Sequence, residues 1–457
     1  MAAIRYKELL CEIVPHYEPR PPKSKWVISI EGKLEQGHQD NMPGSWAKLS
    51  IYRIPCHLKH GEDKAWVPQI VSLGPYHHHG EKHLLHMERH KWQCLHRILE
   101  RSGQDIGLYL DLVKKVEWRA RAGYEGRISM SCDEFVEMMV LDGCFVIEMF
   151  RGFVEGFKNL GYPLNDPVFS MQPSILQIQR DMIMLENQIP LFILDQLLGL
   201  QFGDPNQKGC VAKLAIQSFK PLMPTETLTF NPLYNHDTAY YLDGFRWGLL
   251  LLGPKRSKTK PWSQRRQWFK RCLTELREAG IKVMPSPSRI LVDIKFKNGI
   301  LKIPRLKIHK GTRLLFLNLI AFEQSHLDRS NQVTSYVIFM RNLINSHEDV
   351  RYLCSRGIIR HCLESDAQLI DLFNRLCREV DFDIRDSYFP RLTFDLELYY
   401  EHWAFLTRKW NAWVAILKNK YFDNPWSIIS LVAAFALLVL TFIQAFYAVY
   451  AYYRPYS

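Results

Sequence analysis

The chain has 457 residues, 47% hydrophobic and 23% charged, which excludes a disordered or collagen-like polymer and leaves room for one large or two to three ordinary domains. Its 59 lysines and arginines against 47 acids give a net charge of +12, which suits an acidic partner such as anionic lipid, nucleic acid or an acidic protein without choosing among them. No C-x-x-C pair occurs among the ten cysteines, no asparagine opens an N-x-S/T sequon and the first thirty residues lack an apolar leader, so a zinc ribbon, a thioredoxin-type site and a secreted chain are all disfavoured.

Residues 1–45 are polar, carry the stretch PRPPK and read as a loosely ordered arm. A compact helical body is expected over 46–418. It opens on LSIYRIP, which alternates like a short strand ending at Pro55. Six histidines then crowd Gly74 to Trp92. Taken as a helix, Glu81 to Arg101 places Leu84, Met87, Trp92, Leu95, Ile98 and Leu99 on one face and His83, His86 and His90 on the other. Those three have spacings that would bind a transition metal weakly, but a structural zinc site needs four ligands in a closed geometry, so they are read as surface groups with no metal or other cofactor assigned. His77, His78 and His79 follow Gly74-Pro75 in a loop.

Ser131 and Glu134 have the form of a capping box that opens a helix running to about Phe150. A second helix is expected from Ser174, interrupted at Pro190 and closed by Gly199. Three carboxylates stand out in these helical stretches because their neighbours are apolar: Glu88, Asp142 and Glu186. A buried carboxylate is paired, hydrogen-bonded or protonated, and such groups gather at active sites, but they also staple helices together, which is the reading preferred here. No P-loop, kinase set, G-x-S-x-G or H-E-x-x-H motif is present.

The insertion 254–271 holds Lys255, Arg256, Lys258, Lys260, Arg265, Arg266, Lys270 and Arg271 with no acid, interleaved with Trp262, Trp268 and Phe269. It reads either as a solvated loop or as a contact for anionic lipid or a protein partner; with a membrane anchor nearby, lipid outranks nucleic acid. Asn298-Gly299 is a type I′ turn signature between alternating runs. Further helices are expected at Arg313 to Gln324, Val333 to Ile344, Ala367 to Glu379 and Trp403 to Leu417. After a linker at 419–425, Trp426 to Val449 carries no charge and would span about 36 Å as a helix, enough to cross a bilayer core. Arg408, Lys409, Lys418 and Lys420 precede it and Arg454 alone follows, in a short tail at 450–457. The positive-inside rule therefore keeps the body cytoplasmic.

The ordered stretches IYRIP, VSLGPYHHHG, HMERHKW, VLDGCFVIEMF, MLENQIPLFIL, LKIPRLKI, NLIAFEQ and YFDNPWSIISLVAA resemble the plant "domain of unknown function 247" family from about Ile51 to the C-terminal anchor. The resemblance implies a plant protein, mainly α with a small antiparallel β element, a C-terminal transmembrane helix and no established activity. Some grass relatives are linked with pollen self-incompatibility, a role that family membership alone does not assign to this chain; the reading adopted is a protein-binding recognition or signalling component. The competing class is a membrane-tethered hydrolase using the three carboxylates with a histidine.

Overall fold

The computed structural model describes residues 25–27, 29–30, 51–59, 65–78, 82–169, 171–203, 209–225, 269–326, 330–378, 380, 382–383, 387–417 and 425–453. The fold is mainly α-helical, and the chain divides into two compact units. The first is built from Val67–Leu214 together with residues up to Arg53; the second comprises Ile54–Trp66 and most of the chain from Ala215 onward. The sequence reading takes 46–418 as one body.

In the first unit α1 (Leu85–Ser102), α2 (Ile106–Lys114) and α5 (Leu191–Phe202) pack around α3 (Cys132–Arg151). α3 starts where expected: Ser131 Oγ accepts from the Glu134 amide at 3.2 Å, and the Glu134 carboxylate accepts from the Ser131 amide at 3.3 Å. From Phe135 onward nearly every residue of α3 is buried, as suits a helix apolar all round. Gly143 lets α5 approach closely, because a Cβ there would lie 2.5 Å from a Leu197 methyl. Glu148 of α3, in this apolar setting, is satisfied by the Arg101 guanidinium of α1 at 2.6 and 3.1 Å.

Two expectations are corrected in this unit. The described part of LSIYRIP, residues 51–55, forms no strand: Ile51 makes a single bridge to Tyr124 and no partner strand follows among the described residues. The helix expected to run from Ser174 to Pro190 is instead α4 (Gln172–Met182), and the chain leaves helical form at Ile183. The side chains of Asn187 and Gln188 bond to nearby backbone carbonyls, Gln188 Nε2 reaching Met182 and Met184 at 2.8 and 2.7 Å, so the peptide groups at the break are satisfied without a helix.

The second unit contains a three-stranded sheet, β1 (Lys282–Ser286), β2 (Lys295–Lys297) and β3 (Ile300–Pro304), in the order β1-β3-β2. β2 and β3 form the expected hairpin, with Asn298 and Gly299 at φ 52° and 72°. β1 pairs parallel to β3, and β4 (Leu306–Ile308) pairs parallel to β5 (Ile359–His361). The helices are α6 (Leu273–Glu278), α7 (Thr312–Ser325), α8 (Gln332–Leu343), α9 (His347–Ser355), α10 (Asp366–Leu376) and α11 (Pro390–Leu417).

Buried carboxylates fix these helix ends. Glu323 of α7 accepts from the Val333 and Thr334 amides of α8 at 3.0 and 2.9 Å, and from the Thr334 hydroxyl at 2.8 Å. Asp349 caps its own helix through Ser346 and also accepts from the Thr274 amide and hydroxyl of α6. The chain's last described helix, α12 (Pro425–Tyr453), includes a 19-residue stretch, Val432–Tyr450, of mean hydropathy 2.2 and wholly unburied. It is long and apolar enough to cross a membrane.

Candidate functional site

The first unit gathers several of its buried polar groups around one segment, residues 69–77. This segment has no strand beside it, so its backbone donors and acceptors must be satisfied by side chains. Asp181, at the end of α4, accepts from three successive amides: Gln69 at 3.1 Å, Ile70 at 2.6 Å and Val71 at 3.0 Å. Asn187 accepts from the Leu73 amide at 2.7 Å and donates to the Val71 carbonyl at 3.0 Å. Asp142 of α3 accepts from the Gly74 amide at 2.9 Å. The single proton of the Tyr76 hydroxyl is shared between the carbonyls of Ile51 and Glu125, at 3.0 and 2.9 Å.

Gly74 turns the segment at φ 69°, and a Cβ there would meet the Gln188 carbonyl at 2.7 Å. The same carbonyl accepts from the Tyr124 hydroxyl at 2.8 Å.

Lys91 lies beneath this segment. Its Nζ, fully buried, donates to Asp142 Oδ1 at 2.6 Å, Glu88 Oε1 at 2.6 Å and the Ser72 carbonyl at 2.7 Å. The three donors of an ammonium thus meet three acceptors. Burial works against the charge on Lys91, but Asp142 and Glu88 outweigh it and hold the ammonium above the ordinary lysine range. For Asp181 burial dominates over its three amide donors and lifts the carboxyl from 3.8 to about 6.

The carboxylates singled out in the sequence therefore meet different fates. Glu88 and Asp142 converge on Lys91; Glu88 keeps about a quarter of its side chain accessible. Glu186 lies in the non-helical break after α4, with its Oε2 3.9 Å from His77 Nε2. His83 and His86 are exposed and His90 is half-buried. Among the described residues no group of three or more His, Cys, Asp or Glu side chains is arranged to hold a metal ion.

In the sequence Lys91 stands out only as the basic residue one turn after Glu88, and nothing there singles out Asp181, Asn187 or Tyr124. A charged lysine locked by two carboxylates is a poor nucleophile, because its lone pair is protonated. What the cluster does chemically is hold a loop that ends in histidines.

Of the basic insertion, Lys255, Arg256, Lys258, Lys260, Arg265 and Arg266 lie outside the described residues, as do Trp262 and Trp268. Lys270 is exposed. Arg271 is committed within its own unit: it donates to Glu397 of α11 at 2.8 and 3.2 Å and lies 4.2 Å over the Tyr400 ring. Phe269 is buried and stacks on Phe339 of α8, with ring centroids 5.5 Å apart, so its role is in the core and not at a lipid-facing surface.

The family pattern described as a plant protein of unknown function, DUF247, matches residues 51–440. The UPF0481 protein At3g47200 of Arabidopsis thaliana is 29% identical over 427 residues, covering 88% of this chain and 86% of its own length. A second Arabidopsis thaliana protein, the putative UPF0481 protein At3g02645, is 21% identical over 527 residues, covering 94% and 95% respectively. No solved structure matches. With a match that runs from the bridge at Ile51 through the body and into the apolar C-terminal helix, the chain belongs to the plant DUF247 family.

Proposed function

We propose that this is a single-pass membrane protein whose cytoplasmic body works by binding another protein, as a recognition or signalling component. The observation that carries the reading is the use made of the buried polar groups. Asp142, Asp181, Asn187 and Lys91 are spent on the backbone of 69–74 and on one another, so the first unit uses its buried charge to fix a segment that emerges at the half-buried His77 and His78 in place of supplying a reactive group. Binding surfaces gain affinity from such pre-organisation because less conformational entropy is lost on association. The membrane part rests on α12, and the orientation on the four basic residues before it and the single Arg454 after it.

The test uses the full-length chain in plant membranes, with protease protection to read orientation and cross-linking to capture a neighbour. The expected result is a protease-accessible body and a captured protein that binds the purified chain at defined stoichiometry. The competing reading, a tethered hydrolase, draws on His77 beside Glu186. Turnover of a carboxylic ester, amide or glycoside that is lost in both His77→Gln and Glu186→Gln, with folding retained, would overturn the binding reading.

A further inference from the structure

The two halves of α11 have different surroundings. Its first half is docked within the second unit: Leu396 is fully buried, Glu397 pairs with Arg271, and the Tyr399 ring meets Phe296 edge-on at 5.5 Å. Its other face carries an exposed apolar stripe that begins at Phe394 and Leu398, 43% and 56% exposed, and is fullest on the second half. Trp410 and Trp413 are 70% and 71% exposed, and Phe405, Leu406 and Val414 are exposed beside them. At 100° per residue these five side chains occupy about one half of the helix circumference, with Lys409 inside the same arc. The Lys409 ammonium sits 4.5 Å over the Phe405 ring, so charge and apolar surface share one face.

Contiguous tryptophans left open to water mark a surface with an occupant. We infer that the second half of α11 lies in the headgroup layer of an anionic bilayer, holding the cytoplasmic body against the membrane. Three observations favour lipid as the occupant. The sequence from 402 to 422 contains no acid and carries Arg408, Lys409, Lys418 and Lys420, which complements an anionic leaflet. Its aromatic pair is of the type that settles at membrane interfaces, one end apolar and one end wet.

The third is reach. Seven residues, 418 to 424, separate the end of α11 from the start of α12. Fully extended, the eight steps from Leu417 to Pro425 span at most about 29 Å. If α12 crosses the membrane, the end of α11 is therefore tethered within about 30 Å of its start, which keeps the Trp413 turn within reach of the interface. The inference rests on the reading of α12 as an anchor.

The experiment places the photoreactive residue benzoylphenylalanine at position 413 of the full-length chain, and in a second variant at position 400, where the half-buried Tyr400 ring packs under Arg271 on the docked face, each reconstituted into phosphatidylcholine–phosphatidylserine vesicles. Irradiation should yield a lipid adduct from position 413 and none from position 400. Alkaline carbonate extraction of the same vesicles reports α12 separately. Retention in carbonate with no lipid adduct at 413, or with an adduct only to protein, overturns the interfacial helix and leaves the anchor standing. Release by carbonate sinks the anchor; an adduct formed at 413 before release then still supports lipid contact by α11, and its absence there overturns that too. Trp413 lies outside the docked half, and an unchanged circular dichroism spectrum checks that the variant folds.

Discussion

Lys91 is held where a lone ammonium is most costly, and only its three acceptors make the position tolerable. Lys91→Met removes the cation and leaves Asp142 buried beside Glu88 with like charge; we expect a loss of about 3–5 kcal/mol in chemical denaturation. Lys91→Met combined with Asp142→Leu should cost less than the sum of the two single changes, since the second substitution removes the stranded charge. Strict additivity would show that the pair is not coupled. Asp181 offers a pH signature. Its folded value of about 6 exceeds the ordinary 3.8, so the folded chain takes up a proton there that the unfolded chain releases. Its contribution is fully present below about pH 4 and lost as pH rises through about 6, a span of about 3 kcal/mol. Asp181→Asn should flatten this part of the stability profile between pH 4 and 6; identical slopes in the two proteins would refute the assignment.

At the scale of elements, the helix ends and turn written in local chemistry were legible. The Ser131–Glu134 box and the Asn298-Gly299 turn form as their residues require. Pairings between distant segments were not: nothing near β1 or β4 specifies that their partners are β3 and β5. Over the described residues 51–55 the strand expected at LSIYRIP failed for the same reason, since alternation needs a neighbour to pair with and Tyr124 supplies a single bridge there. α1 shows how the site itself was half legible. Its buried residues centre on an arc containing Met87, Lys91, Leu95 and Ile98, with Glu88 about 70° and Trp92 about 110° from the middle. Angle alone therefore predicts a buried Lys91, a half-buried Glu88 and an exposed Trp92, but residue type argues the reverse for two of them. Asp181 and Asn187 carried no such signal, because their partners lie more than a hundred residues away. Replacing His83 and His86 together by Gln should leave the unfolding midpoint nearly unchanged, within about 0.5 kcal/mol in all, since both are exposed. Ser131→Ala should cost about 1 kcal/mol through loss of the cap. Thermal denaturation of the two variants side by side checks both, and a histidine variant less stable than the cap variant would mean that the histidines carry structure.

At the scale of the whole molecule, the two segments proposed to attach the chain to a membrane would do so through different physics, and a truncation separates them. α12 is uncharged throughout and needs no partner charge, so its attachment should resist both salt and alkaline carbonate. The second half of α11 combines two tryptophans with basic neighbours, so its attachment should weaken as the Debye length shortens from about 10 Å at 0.1 M salt to about 3 Å at 1 M. Deleting residues from Pro425 onward removes the first and keeps the second. The truncated chain should be released fully by carbonate, yet at low salt a fraction should still sediment with phosphatidylserine-containing vesicles. Trp410→Ser with Trp413→Ser should abolish that residue of binding, since what remains is charge without an apolar face to insert. Carbonate-resistant attachment of the truncated chain would place the anchor elsewhere in the sequence. Vesicle binding that survives 1 M salt and the tryptophan substitutions would move the second contact away from α11, and the basic residues between Lys255 and Arg266 would become the next surface to test.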